Sequence, residues 1–139
     1  MRIPQMIVGG GLVVLVILLF TNSPTQHAPA YNASNEVTVQ GAVQDVQEFY
    51  CPISGELGTH LMVKTENGTF QVHIAPKWFL LGNNLSFSKG DQVQVVGSRI
   101  VYKGHDALIA RSVVLGNQTM ALREPNGEPV WLEPHARQE

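Results

Sequence analysis

Residues 60–74, HLMVKTENGTFQVHI, decide the fold. Apolar and polar side chains alternate on both sides of Asn67-Gly68, which is the period of a half-buried strand. Asn-Gly between two such runs is the strongest short-range hairpin signal, because a tight hairpin turn needs positive φ at its central positions. With Asn67-Gly68 as a two-residue turn, Lys64 faces Gln71, Met62 faces His73 and His60 faces Ala75. One face of the hairpin then carries Leu61, Val63, Phe70, Val72 and Ile74, a core face. The other carries His60, Met62, Lys64, Gln71 and His73.

Upstream, residues 37–50 (VTVQGAVQDVQEFY) place Val37, Val39, Gly41 and Val43 on one side of a further strand. Gly41 suits a bend where another backbone comes close. The period slips between Val43 and Val46, which predicts a bulge near Gln44-Asp45. Residues 51–59 (CPISGELGT) read as a loop, by one proline and two glycines. Downstream, Pro76 and Gly82 bracket a short helix. Gln92–Val101, interrupted at Gly97, and Asp106–Leu115 are strands. A last hairpin is expected from Thr119–Arg123 and Pro129–Leu132 around Pro125-Asn126-Gly127-Glu128. The order strand, strand, strand, short helix, strand, strand predicts an all-β, five-stranded Greek-key barrel, the OB-fold. An open antiparallel meander or another small barrel is the alternative. The barrel is bounded at residues 36–116, followed over 117–139 by a C-terminal hairpin and tail.

Before the barrel, residues 7–20 (IVGGGLVVLVILLF) contain no charge, and Arg2 precedes them in the order of an export signal. The apolar stretch reaches 18 residues if counted from Ile3 to Phe20. A full membrane span needs about 20. Two readings stand. Residues 1–21 are a retained anchor, crossing the membrane through residues 3–20, or a signal peptide cleaved after Ala30 in Ala28-Pro29-Ala30. The first gives a membrane-anchored domain on the periplasmic side. The second gives a secreted or periplasmic one. Residues 22–35 are polar and read as an extended linker.

Composition narrows the function. Charged residues are 14% of the 139, against about 25% in ordinary soluble domains. Net charge is −2, and every acidic residue lies after position 35. That argues against nucleic-acid binding by backbone electrostatics, which shows a basic excess. Cys51 is the one cysteine, so a disulfide scaffold is excluded. No motif sets a nucleophile beside a base, and no phosphate loop or H-E-x-x-H occurs, so no enzyme is expected. On the outer hairpin face, His60, Met62 and His73, with Cys51 swinging in from the preceding loop, form a soft donor set of the kind that holds copper. The plainer reading leaves ordinary sheet histidines and a buried structural thiol. Lys64, Gln71, Lys77, Trp78 and Phe79 are candidates for a binding surface. The plainer reading of Trp78 and Phe79 is an aromatic plug for the barrel end.

Val37-Thr-Val-Gln-Gly41, Phe70-Gln-Val-His-Ile74 and Lys89-Gly-Asp-Gln-Val-Gln-Val-Val-Gly97 resemble bacterial OB-fold proteins of the cell envelope, over roughly residues 36–116. The resemblance implies a small barrel that binds a ligand or a partner. The topology also resembles the haem chaperone of cytochrome c maturation, which attaches haem through a histidine just past its barrel, followed by a tyrosine. Here His135 stands past the barrel with no tyrosine after it, so that role does not carry over. The expected function is a non-catalytic, membrane-anchored, extracytoplasmic binding protein without a cofactor. It would be an accessory subunit whose partner is another envelope or membrane protein. The alternatives are a metal or haem carrier, with copper or haem as cofactor, and a module for single-stranded nucleic acid or glycan.

Overall fold

Strand β1 (Glu36–Cys51) is long enough to serve two neighbours. Its first half, Glu36 to Ala42, pairs antiparallel with β4 (Gln92–Tyr102), and its second half pairs with β2 (Glu56–Thr65). The strand bends where it changes partner. A Cβ at Gly41 would lie 2.0 Å from the carbonyl oxygen of Lys64, so only glycine fits. The expected bulge follows at once, between Val43 and Asp45. The computed structural model describes residues 28–132. The expected membrane segment over 3–20, the tail beyond 132 and His135 lie outside the described residues.

The remaining elements are β3 (Gly68–Pro76), α1 (Lys77–Gly82), β5 (His105–Leu115) and β6 (Gln118–Ala121). β5 pairs antiparallel with β4. Gln71–His73 of β3 then pair parallel with Ala107–Ile109 of β5 and close the sheet. The closed order β1-β2-β3-β5-β4 is the expected five-stranded OB barrel. β6 extends the sheet beyond β5. Leu61, Val63, Val72, Val95 and Leu108 fill the interior with no exposed surface. The chain after β6 also enters the core: Leu122 and Trp131 are buried in the same cluster. Gly97 repeats the logic of Gly41, since a Cβ there would meet the Ile109 carbonyl at 2.4 Å.

Three expectations are corrected. First, β2 begins at Glu56, and the loop is only Pro52–Gly55. The glycine at 58, read as a breaker, lies inside the strand opposite Phe49. Consequently Cys51 is the last residue of β1 and not part of a swinging loop. Second, the hairpin turn is Glu66-Asn67, with Thr65 opposite Gly68. Gly68 supplies the positive φ, at +115°, as the first residue of β3. The Thr65 hydroxyl fixes this turn by accepting from the Asn67 N–H at 3.1 Å and donating to the Gly68 carbonyl at 2.8 Å. Met62 therefore faces Gln71, and His60 directly faces His73. The two faces survive the slip, because each partner moves by two residues and side chains alternate with period two.

Third, the linker ends before Tyr31. Asn32 caps a 3-10 turn over Ala33–Asn35, and its N–H donates to Ser98 Oγ at 3.0 Å. The Arg123 guanidinium lies 6.0 Å from the centre of the Tyr31 ring. Glu36 accepts from Arg111 Nε at 2.9 Å. That hydrogen bond holds the Glu36 carboxyl below its ordinary pKa. An aromatic ring and an ion pair thus bind residues 31–36 to the barrel, at the end of the stretch 22–35 that composition reads as an extended linker.

Candidate functional site

The outward side of β2 and β3 divides into two unlike places. The first is an open groove of about 860 Å³. Phe49, Met62, Gln71, Tyr102 and His105 line it, so it runs from the β1–β2–β3 surface to the β4–β5 turn. This is the strand 2–3 face and strand 4–5 loop with which OB-folds generally bind. Its walls mix aromatic, thioether and amide groups. Lys103 and Asp106 at the turn supply one charge of each sign.

The second place is closed. His60 and His73, opposite each other on adjacent strands, are 1% and 4% exposed. Phe49 stacks flat on the His60 ring at 3.8 Å between centres. The His60 and His73 rings meet edge to face at 4.6 Å, and Tyr102 closes on His73 at 4.9 Å. Cys51, buried at the end of β1, puts its Sγ 3.4 Å from His73 Nδ1. One donor atom from each of Cys51, His60 and His73 lies within 4.8 Å of the others. The His60 Nδ1 and His73 Nε2 atoms are buried without a hydrogen-bond partner. Arg123, Trp131 and Ser54 cover the cluster, around a void of about 10 Å³.

Burial sets the protonation of this cluster. Removal from water lowers the His60 pKa to about 4, opposed only in part by a backbone hydrogen bond at Gly58. Desolvation, with the neighbouring His60, lowers His73 to about 3. Both imidazoles are therefore neutral at pH 7 and keep a ring lone pair. The Arg123 guanidinium is itself pushed down by burial, opposed in part by the electrostatic influence of Tyr31 and then Cys51.

Of the expected soft donors, the fold brings Cys51, His60 and His73 together. Met62 stays outside, in the groove opposite Gln71. Haem does not fit among these donors, because the void has the size of a single water or ion. The expected binding-surface residues separate. Gln71 lines the groove, and Lys64 is exposed towards the hairpin turn. Lys77 on α1 pairs with Glu48 at 2.7 Å. Trp78 Nε1 donates to Glu56 at 2.9 Å. Phe79 is half-buried against the core and 5.6 Å from the Trp131 ring. Sequence reasoning missed Phe49, Tyr102 and Arg123. Phe49 shares one side of β1 with Cys51 by period two, so it was within reach. Arg123, far along the chain, left no local signal.

These features define an OB-fold barrel with a grooved outer face and a sealed Cys-His-His cluster beside the groove. The chain belongs to the MamS/MamX magnetosome protein family, whose sequence profile matches residues 35–120. A comparison with curated proteins finds no match. Among solved structures, the S. pombe Stn1-Ten1 complex is similar at 21% identity and TM-score 0.46, over 74% of this chain and 68% of that one. The N-terminal domain of PriB from Thermoanaerobacter tencongensis is similar at 16% identity and TM-score 0.47, over 61% of this chain and 99% of that one. The S. cerevisiae mitochondrial single-stranded DNA binding protein Rim1 is similar at 9% identity and TM-score 0.43, over 63% of this chain and 96% of that one.

Proposed function

We propose that this chain is a non-catalytic interaction module of the magnetosome, held at a membrane by its N-terminal apolar segment. Its groove receives a protein partner of that membrane, for which the chain serves as an accessory subunit. The observation that carries this reading is the open groove on the strand 2–3 face, in a chain whose family is a magnetosome family. Phe49, Met62 and Tyr102 offer apolar anchors, and Gln71 and His105 offer polar ends. That mixture suits a partner surface better than a phosphate backbone. The acidic excess of the chain supports the same choice over nucleic acid. Three of the eleven carboxylates, Glu36, Glu48 and Asp106, are each matched to a cation, Arg111, Lys77 and Arg99. The barrel faces the extracytoplasmic side of the anchoring membrane.

The test is gentle detergent extraction of the full-length protein from its native membranes, followed by mass spectrometry of what co-purifies. A stoichiometric membrane protein, recovered together with peptides from residues 1–21, is the expected result. Met62→Glu with Gln71→Glu, in a chain that still folds by circular dichroism, abolishes the association. Recovery of the chain alone, or an association indifferent to this double variant, overturns the reading.

A further inference from the structure

None of the three donors of the buried cluster lines the partner groove, although Phe49 and Tyr102 wall both, and the cluster concentrates unusual chemistry. Three side chains with available lone pairs converge where water is nearly excluded. Two of their ring nitrogens are buried without a partner. An orphaned buried polar atom is destabilising by about 1–3 kcal/mol, so natural interiors seldom keep two side by side without a reason. The small pocket that these groups line together with Ser54, Arg123 and Trp131 has room for one small particle, about 10 Å³.

We propose that Cys51, His60 and His73 form a binding site for a single thiophilic metal cation, and that charge balance selects cuprous copper. The ligands would be Cys51 Sγ and one ring nitrogen from each histidine. A thiolate with two imidazoles suits copper and zinc, whereas magnesium, calcium and manganese require oxygen donors. No carboxylate lines the void. The choice between copper and zinc follows from charge. A thiolate and a monovalent cation sum to zero. A thiolate and a divalent cation leave one positive charge in a low-dielectric site that already borders the Arg123 guanidinium. Three donors also complete a trigonal cuprous site, while structural zinc is four-coordinate. The stacked Phe49 and the edge-on Tyr102 hold the rings in place before any ion arrives.

The experiment uses the full-length protein in detergent, reduced and free of oxygen. It is titrated separately with Cu(I) and Zn(II) against a coloured competing chelator. One equivalent of Cu(I) per chain is expected, with an absorption-edge spectrum fitted by one sulfur and two nitrogens. Cys51→Ser and His73→Gln, both close in shape to the native residues, each weaken Cu(I) binding by more than about 100-fold, beyond the loss usual for an outer-shell partner. Lys89→Ala, an exposed control, leaves binding unchanged. Circular dichroism of the metal-free variants separates lost binding from lost fold. The absence of stoichiometric binding by the folded native chain overturns the site. So does binding that survives Cys51→Ser. Zinc bound more tightly than copper overturns the charge-balance argument. None of these results bears on the partner groove, whose test is association.

Discussion

Towards the hairpin turn, the outward face of β2 and β3 meets solvent through exposed Lys64 and half-exposed Met62 and Gln71. Further from the turn, on the same face and the same two strands, His60 and His73 have almost no contact with water. The alternation that sets direction is identical at both ends. What differs is the cover: β1 contributes Phe49 and Cys51, β4 contributes Tyr102, and the C-terminal segment contributes Arg123 and Trp131. A strand pattern therefore fixes which way a side chain points, and remote chain decides whether that direction leads to water.

The largest expected effect breaks the frame that both ends share. Gly41→Ala drives a Cβ into the Lys64 carbonyl and should destabilise the barrel by about 4 kcal/mol or more. Urea unfolding of the full-length protein in detergent measures it, and a loss below about 1 kcal/mol would contradict the close approach of β1 and β2. Next comes the contrast between faces. Leu61→Ala should be destabilising by about 2–5 kcal/mol, because Leu61 has no exposed surface. Its neighbour Met62→Ala should lose less than about 1.5 kcal/mol, since Met62 borders the open groove. Equal losses would mean that the face assignment is wrong.

The contrast between the two ends shows most directly in pH. Unfolded imidazoles titrate near 6.5, whereas folded His60 and His73 stay neutral down to about 4 and about 3. Between those limits the unfolded chain binds the extra protons. Stability of the metal-free protein is thus fully present above about pH 6.5 and falls as pH drops below it. Each histidine contributes a slope of up to about 1.4 kcal/mol per pH unit. His73→Gln should remove one proton's worth of that slope. An unchanged slope in His73→Gln would show that His73 is not sealed. The smallest effect belongs to the solvent side of the fold. Lys77→Ala removes an exposed pair with Glu48 and should change stability by no more than about 1 kcal/mol.

Much of the barrel was legible because its signals are local. Alternation gave the faces, Gly41 marked a close approach, and the slip after Val43 marked the bulge. The register was not legible. Asn67-Gly68 favours a turn, but the Thr65 side chain, bonding on both sides, moved that turn back by one residue. Within the site, the donor types were readable: Cys51, His60 and His73 were named together. Their geometry rested on tertiary facts. His60 faces His73 only in the shifted register, and Cys51 is fixed because β1 runs on to pair with Glu56. The same shift set Met62 against Gln71. The docking of Tyr31 beside Arg123 joins chain segments that no local window contains.

One feature of the closure bears on kinetics. The barrel is shut by a short parallel seam, Gln71–His73 against Ala107–Ile109, and His73 is its last member. Parallel pairing is slightly weaker per residue than antiparallel pairing, and this seam joins parts of the chain far apart in sequence. It is the latch of the molecule. Amide protons bridging β3 and β5 should exchange with solvent sooner than those bridging the long β1–β2 ladder. Each such opening bares one edge of the cluster while the rest of the fold stays shut. Access to His73 would then be timed by that seam, and an ion at the proposed site would exchange without global unfolding.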